Sequence, residues 1–293
     1  MNQVIGCIDG TETSATICEY ATWAALRMEA PLEFLHVLER PQDVAPVSDF
    51  SGNLSVDTHA KLLHELAELD ARRNKVAQEH GRLLVEAARN RAAELGVPAP
   101  QKRQRHGTLV EALGEMEDTL RLAVIGRRYV GEKGERGERG GAGLDQPVQN
   151  HRLERVIRAI HKPILATAAH YTEPRQFMIA FDGSPTGRKT VERVAASPLL
   201  AGLPCHVVTC GSGAAIREAQ NWAEAQLRDR GFAVTLATLD EEPETALAPY
   251  AAAHAIDLAI IGAYGHSRIR QLMIGSTTTN LLRTLPVPLL VLR

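Results

Sequence analysis

An internal repeat limits the possible folds of this chain more than any other feature of its sequence. Three short patterns recur in the same order in both halves, at residues 8–10 and 181–183, at 122–126 and 258–262, and at 158–165 and 283–290. The separation between matching residues falls from 173 to 136 to 125 positions, so the first half contains additional residues before and after its fourth strand. The chain therefore consists of two versions of one structural unit.

Short apolar segments alternate with helical segments in each half. Segments with the composition of buried strands lie at 3–9, 32–38, 122–125 and 163–166, and again at 176–182, 205–210, 258–261 and 287–291, while more polar strands are predicted at 101–106 and 232–239. Strands that alternate with helices predict parallel sheets in doubly wound α/β domains. We predict two such domains, residues 1–168 and 176–293, with a linker near 168–175.

Two segments of the first half have no assigned role. Residues 58–95 are rich in Ala, Leu, Glu and Arg and lack proline, which predicts a long helix, broken or bent near Gly81 and ended by Gly96. Within 129–147, glycine recurs at every third residue from 131 to 143 among charged residues. That run is too short and too poor in proline for a collagen triple helix, so it predicts a flexible, solvated loop.

Composition excludes several functional classes. The 293 residues carry a formal net charge of −2 and only 4% aromatic residues, which argues against nucleic-acid or anionic-lipid partners. No apolar run is long enough to cross a bilayer, and the chain enters its first strand without room for a secretory signal. The four cysteines lack C-x-x-C spacing, which is typical of buried, reduced thiols in the cytoplasm: Cys7, Cys18, Cys205 and Cys210.

A glycine-rich stretch at 258–278 indicates a phosphate site. An apolar strand ends at Gly262, Gly265 follows, and Gly275 and Ser276 stand directly before a helical segment. Glycine allows close approach of the backbone to phosphate oxygens, and the N–H groups at a helix start point toward an anion. The pattern is neither a Walker A loop nor a dinucleotide fingerprint. The alternative is an ordinary strand–loop–helix connection.

These glycines match G-x2-G-x9-G-[ST], the nucleotide-binding motif of the universal stress protein family, at every spacing. The whole chain resembles a tandem member of that family, with one domain per half. The resemblance implies two five-stranded parallel sheets of strand order 3-2-1-4-5, with ligand bound beyond the carboxyl ends of strands 1 and 4. The implied ligand is ATP or another adenine nucleotide, with Mg²⁺ as a candidate companion ion.

The resemblance also implies which residues contact the nucleotide. An aspartate after the first strand contacts the ribose, the end of the second strand lines the adenine pocket, and the glycines and hydroxyls hold the phosphates, with nearby cationic side chains in support. The residues concerned are Asp182, Gly183, Ser184, Thr209, Cys210, Gly262, Gly265, His266, Arg268, Gly275, Ser276 and Thr277.

The first half departs from this motif. Gly126 is retained, but Arg127 follows it, and Asn150 and His151 stand where the second half has glycine and serine. A side chain at a close-approach glycine obstructs phosphate contact. We therefore expect Asp9 to have no ligand and the first domain to bind nucleotide poorly or not at all. The alternative is that its long helix and glycine loop serve another ligand.

We expect a cytoplasmic, nucleotide-binding stress-response protein with unknown protein partners. A nucleotide-independent interaction protein and a slow ATPase are the alternatives. No G-x-S-x-G elbow or paired carboxylates assign a catalytic residue, and His59 and His64 do not share a helix face, so no metal site is assigned. We also expect an intramolecular pseudo-dimer in which the last strands of the two halves pair, since an unpaired apolar edge favours aggregation. A homodimer of whole chains is left open.

Overall fold

The computed structural model describes residues 2–39, 56–127, 146–263 and 276–293. Its strands are β1 (Gln3–Cys7), β2 (Leu32–Leu38), β3 (Gln101–His106), β4 (Leu120–Ile125), β5 (Ile164–Ala166), β6 (Phe177–Ala180), β7 (Cys205–Cys210), β8 (Val234–Leu239), β9 (Leu258–Gly262) and β10 (Leu289–Leu292). Its helices are α1 (Ser14–Met28), α2 (Val56–Glu94), α3 (Leu109–Glu115), α4 (Gln146–Ala159), α5 (Pro185–Ala195), α6 (Ala214–Arg228), α7 (Pro243–Ala253) and α8 (Ser276–Thr284).

All ten strands form one sheet in the order β3-β2-β1-β4-β5-β10-β9-β6-β7-β8. The five strands of each half are parallel to one another and follow the predicted order 3-2-1-4-5. This confirms the predicted α/β fold with a doubly wound arrangement. The domain limits 1–168 and 176–293 stay a prediction, because one continuous sheet does not itself define where a domain begins.

The two halves meet through their last strands. β5 and β10 are antiparallel, with Leu165 opposite Leu290, so each of these apolar strands has a neighbour on both sides. Pro288, which has no N–H to donate, directly precedes β10 and lies outside the ladder. The predicted pairing of the last strands is confirmed.

Helices cover both faces of the sheet because most strands are apolar on both faces. α1, α2, α5 and α6 pack on one face, where Ile17 and Phe177 belong to one buried cluster. α3, α4, α7 and α8 pack on the other, where Leu153 and Leu281 belong to a second cluster. None of the described helices is both long and apolar enough to cross a membrane.

α2 is helical without interruption from Val56 to Glu94, so the predicted break near Gly81 is wrong. A Cβ at Gly81 would collide with the side chains of His36 and Gln104. The glycine is therefore explained by close packing of the helix on β2 and β3. Helix propensity alone does not contain this information, because tertiary contacts override it. The 129–147 loop lies largely outside the described residues.

Candidate functional site

A cavity of about 390 Å³ opens at the carboxyl ends of β6, β7 and β9. β6 lies between β9 and β7, and the chain leaves it toward β7 on one side while β9 returns on the other. This is the topological switch point at which open α/β sheets bind ligands. The described residues that line the cavity are Ala180, Phe181, Asp182, Ser184, Thr186, Gly187, Val208, Cys210, Pro243, Leu247, Ile261, Gly262, Thr277, Thr278 and Leu281.

The floor of the cavity is apolar. Phe181, Val208 and Ile261 come from the ends of the three strands, and Leu247 and Leu281 come from α7 and α8. All five side chains are largely buried in the protein core. A surface of this kind accommodates a flat, weakly polar group such as a nucleobase, while the polar groups that fix orientation lie at the rim.

A tight turn after β6 forms one side of the rim. Gly183 has a φ of +72°, a conformation that glycine adopts readily. The Ser184 amide donates to Asp182 Oδ1 at 3.0 Å, and Ser184 Oγ accepts from the Gly187 amide at 3.0 Å, which caps α5. The turn therefore holds the exposed Asp182 carboxylate at the mouth of the cavity in a defined position.

The end of β9 and the start of α8 form the opposite side. A Cβ at Gly262 would lie 2.6 Å from Thr190 Oγ1, so only glycine fits between β9 and α5. α8 begins at Ser276, and Thr277 and Thr278 line the cavity from its first turn. The N–H groups of a first helical turn have no partner inside the helix and are available to an anion.

Negative charge lies close to this helix start. Thr277 Oγ1 donates to Glu244 Oε1 at 2.5 Å. Burial raises the pKa of the Cys210 thiol, and the carboxylates of Glu242 and Glu244 raise it further. Within the described part of the chain, no group of three or more His, Cys, Asp or Glu residues is placed to hold a metal ion.

The structure brings together five of the predicted site residues: Asp182, Ser184, Cys210, Gly262 and Thr277 all line the cavity. Gly183 shapes the turn without being among the lining residues, and Ser276 is the first residue of α8. The other predicted residues, Gly265, His266, Arg268 and Gly275, lie outside the described residues.

Thr209 is the predicted site residue that the structure places elsewhere. Its side chain is 2% exposed and is not among those that line the cavity, whereas Val208 and Cys210 on either side of it are. Its hydroxyl is buried and has no hydrogen-bond partner among the described residues. Side chains alternate between the faces of a strand, so Val208, and not Thr209, shares a face with Cys210. That alternation is the signal that sequence reasoning missed.

The matching region of the first half is built differently. Asp9 Oδ1 accepts from the Thr11 amide at 3.0 Å and from Thr11 Oγ1 at 2.8 Å. Gly126 lies against Thr13, whose hydroxyl would collide with any Cβ there. The next residue, Arg127, is 1% exposed, and its guanidinium enters the junction between the halves. The two halves thus share a backbone plan but differ in the side chains at the switch point.

Comparison with known proteins gives one consistent result. The model of the universal stress protein family matches residues 211–293. The chain is 31% identical over 297 residues to universal stress protein Slr1230 of Synechocystis, with all of both chains covered. A universal stress protein structure from Archaeoglobus fulgidus superposes over 100% of this chain and 96% of its own, with a TM-score of 0.63 and 15% identity. A putative universal stress protein from Pseudomonas aeruginosa superposes over 100% of this chain and 93% of its own, with a TM-score of 0.59 and 14% identity.

Proposed function

The chain belongs to the universal stress protein family, and we propose that its C-terminal half binds ATP or another adenine nucleotide in the cavity between β6 and β9. The observation that carries this proposal is the cavity itself, which joins an apolar floor to a rim of glycine, hydroxyls and one carboxylate at the switch point of the sheet. Its volume of about 390 Å³ falls within the range of roughly 300–1,000 Å³ that is usual for small-molecule sites.

Each part of a nucleotide has a matching part of the cavity. The base would lie on the apolar floor formed by Phe181, Val208 and Leu247. The ribose hydroxyls would donate to Asp182, whose position the turn after β6 fixes. The phosphates would approach Gly262 and the first turn of α8, where backbone N–H groups and the helix dipole favour negative charge. Mg²⁺ would enter with the phosphates, because the described carboxylates form no cluster that holds a metal by itself.

We propose that the first half binds nucleotide poorly or not at all. Support comes from Arg127, which follows the matching glycine of the first half and whose side chain is engaged in the junction between the halves. The proposal does not include hydrolysis. A nucleotide-responsive role in the stress response, located in the cytoplasm, follows from the sequence expectations and stays a proposal.

Titration calorimetry of the full chain with ATP, ADP and AMP tests the proposal. We expect one site per chain. Gly262→Ala should abolish binding, because its methyl group would collide with the buried Thr190 of α5 and shift the end of β9, which lines the cavity. Gly126→Ala is the matched control, since it crowds Thr13 at the equivalent position of the first half and should leave affinity unchanged.

Other results would distinguish the alternatives. Two equal sites per chain would contradict the assignment to the second half, and loss of binding in Gly126→Ala alone would place the nucleotide in the first. No binding of any adenine nucleotide would favour a nucleotide-independent interaction protein. Phosphate release beyond one equivalent per chain would favour an ATPase. Circular dichroism of both variants checks that each remains folded.

A further inference from the structure

α2 extends well beyond the body of the protein. Residues 64–80, which we call the α2 arm, are exposed throughout, apart from the half-buried Ala77. From Gly81 onward the helix packs on the body, and Val85, Ala88 and Ala92 are buried at helical spacing. At 1.5 Å per residue the arm is about 25 Å long. The arm therefore contributes more than four turns of mostly exposed helix, and Gln78 near its end is hydrogen-bonded to Gln104 and His106 of β3.

An isolated helix of this length is marginally stable in water, because tertiary packing supplies most helical stability in proteins. The ion pairs within the arm do not replace such packing. His64 and Arg72 both approach Glu68, at 3.5 and 3.8 Å, and all three side chains are more than half exposed. Exposed i,i+4 pairs contribute only about 0.3–0.5 kcal/mol. Among the described residues, the arm therefore has little packing surface that would stabilise it as a helix.

One face of the arm is apolar. The exposed large apolar side chains of α2 are Leu66, Leu69, Val76 and Leu83, at 41%, 60%, 70% and 52% exposure. Three of them, Leu69, Val76 and Leu83, are spaced by seven residues, and Leu66 lies three residues before the first. This is the a/d spacing of a coiled-coil seam, with Leu66 at an a position and the other three at d positions. Arg73 and His80 occupy the remaining a positions.

The charges of the arm are separated into two adjacent blocks. Glu65, Glu68 and Asp70 form an acidic block, and Arg72, Arg73 and Lys75 form a basic block directly after it. A second arm in the same direction would place like charges side by side. A second arm in the opposite direction, centred between the blocks, would place each acidic block against a basic one. The arm is therefore complementary to itself in the antiparallel orientation only.

We propose that the α2 arm pairs antiparallel with the α2 arm of a second copy of this chain. In an antiparallel seam an a position faces a d position, which sets Leu66 opposite Val76 and Leu69 opposite the aliphatic stem of Arg73. The centre of this register is residue 71, near the middle of the exposed segment. The same register brings the acidic block of each copy against the basic block of the other. Packing and charge thus select one alignment.

The alignment also leaves room for the two bodies. Residue 81, where α2 meets its own body, lies opposite residue 61 of the other copy. In that other copy, residues 61 and 81 are about 30 Å apart along the helix. The bodies therefore lie at opposite ends of the helix pair. A pair of this length is small beside standard interfaces of roughly 800 Å² per partner, so the expected dissociation constant is about micromolar. The proposal is independent of nucleotide binding.

Sedimentation velocity of the full chain over about 2–200 µM tests the pairing, a range that brackets micromolar dissociation constants. The wild-type chain should convert from monomer to dimer across this range. Leu69→Glu/Val76→Glu should raise the dissociation constant at least tenfold. Ala71→Glu/Asn74→Glu places two carboxylates at exposed positions on the face of the helix away from the seam and should dimerise as wild type does. A wild-type monomer at the highest concentration, or a dimer that survives Leu69→Glu/Val76→Glu, overturns the proposal.

Charge reversal tests whether the charged blocks contribute to the pairing. The first variant is Glu65→Lys/Glu68→Lys/Asp70→Lys, and the second is Arg72→Glu/Arg73→Glu/Lys75→Glu. Each arm then carries one sign of charge, so neither variant should dimerise alone. An equimolar mixture should form a heterodimer. A mixture that stays monomeric while both variants remain folded by circular dichroism contradicts the self-complementary arrangement.

Disulfide trapping tests the register. Under mild oxidation, Leu66→Cys/Val76→Cys should form two interchain bonds, because the two positions face each other. Leu69→Cys alone should not cross-link, because residue 69 lies opposite residue 73 of the other copy. The two copies of residue 69 are therefore offset by about 6 Å along the helix axis. The native Cys7, Cys18 and Cys205 are buried, and the half-buried Cys210 is replaced by serine in every variant of this test. Efficient cross-linking of Leu69→Cys with none in the double variant would indicate a parallel pair and overturn the proposal.

Discussion

Arg127 is the side chain whose removal should most weaken the contact between the halves. It follows β4 in the first half, yet most of its acceptors belong to the second. Its Nε donates to Thr167 O at 3.2 Å. Its two terminal nitrogens donate to main-chain oxygens at and beyond the C-terminal end of α8, those of Leu281, Leu282, Leu285 and Val287, at 3.4, 3.0, 2.9 and 2.6 Å. The guanidinium therefore acts as a C-terminal cap supplied by the other half.

The size of the effect follows from this geometry. Hydrogen bonds to charged groups contribute about 1.5–3 kcal/mol each, and a buried carbonyl left without a donor costs about 1–3 kcal/mol. Removing the guanidinium also removes the cost of burying a charge, which offsets part of the loss. In Arg127→Met the alkyl stem is largely retained, and water reaches some of the freed carbonyls at the half-buried Val287. We expect a net loss of about 3 kcal/mol.

Urea denaturation, followed by circular dichroism, measures this loss as a shift of the unfolding midpoint at constant slope. Arg127→Lys should lie between wild type and Arg127→Met, because an ammonium keeps the charge but cannot reach both sets of carbonyls. Arg121→Met is the matched control, since Arg121 donates a 3.1 Å bond to Met28 O within the first half and is only half-buried. If Arg127→Met loses no more than Arg121→Met, the capping argument is refuted.

Three further predictions concern the second half. Bound nucleotide should slow alkylation of Cys210, the half-buried thiol that lines the cavity. Mass spectrometry after treatment with iodoacetamide should show less labelling of Cys210 in the presence of ATP. Equal labelling with and without ATP would place the ligand elsewhere. Glu244→Gln removes a negative charge beside Thr277 and should tighten ATP binding about tenfold, roughly 1.4 kcal/mol. The affinity for adenosine, which has no phosphates, should not change. Weaker ATP binding would instead indicate that the carboxylate helps to hold Mg²⁺. Burial and nearby His254 lower the pKa of His206, which shares a 2.8 Å hydrogen bond with Tyr250. The unfolded state therefore binds more protons than the folded state near the ordinary histidine pKa of 6.5, and the free energy of unfolding should fall as pH drops from 7 to 5. His206→Gln should reduce this pH dependence, measured by urea titrations at each pH.

Much of the fold was predictable because it depends on local patterns. Apolar runs such as Leu258–Gly262 are buried on both faces, as central parallel strands are. The pairing of β5 with β10 followed from the cost of leaving two apolar edges unpaired. The strand order came from the family resemblance, because composition does not encode which strands are neighbours.

The incorrect or missing parts depend on contacts between distant residues. Gly81 looked like a helix breaker because the sequence does not show that His36 and Gln104 pack against it. Thr209 was assigned to the cavity although the alternation along β7 favours Val208. The role of Arg127 rests on carbonyls about 155–160 residues later in the chain, and backbone carbonyls have no sequence signature. The sequence therefore predicts the location of the site better than its side chains.

The difference between the halves has a physical reason at the junction. Arg127 and Ala263 occupy matching positions, one residue beyond Gly126 and Gly262, and both are buried, at 1% exposure. Two arginines related by the approximate symmetry would bring two buried positive charges into one region, each needing its own set of acceptors. One arginine and one alanine avoid that repulsion. In the first half the arginine takes the position beside the switch-point glycine and secures α8 of the other half. In the second half alanine stands beside Gly262, and Arg293 of that half in turn holds the end of α4, because its Nη1 donates to the main-chain oxygens of Ile157, Arg158 and Ile160.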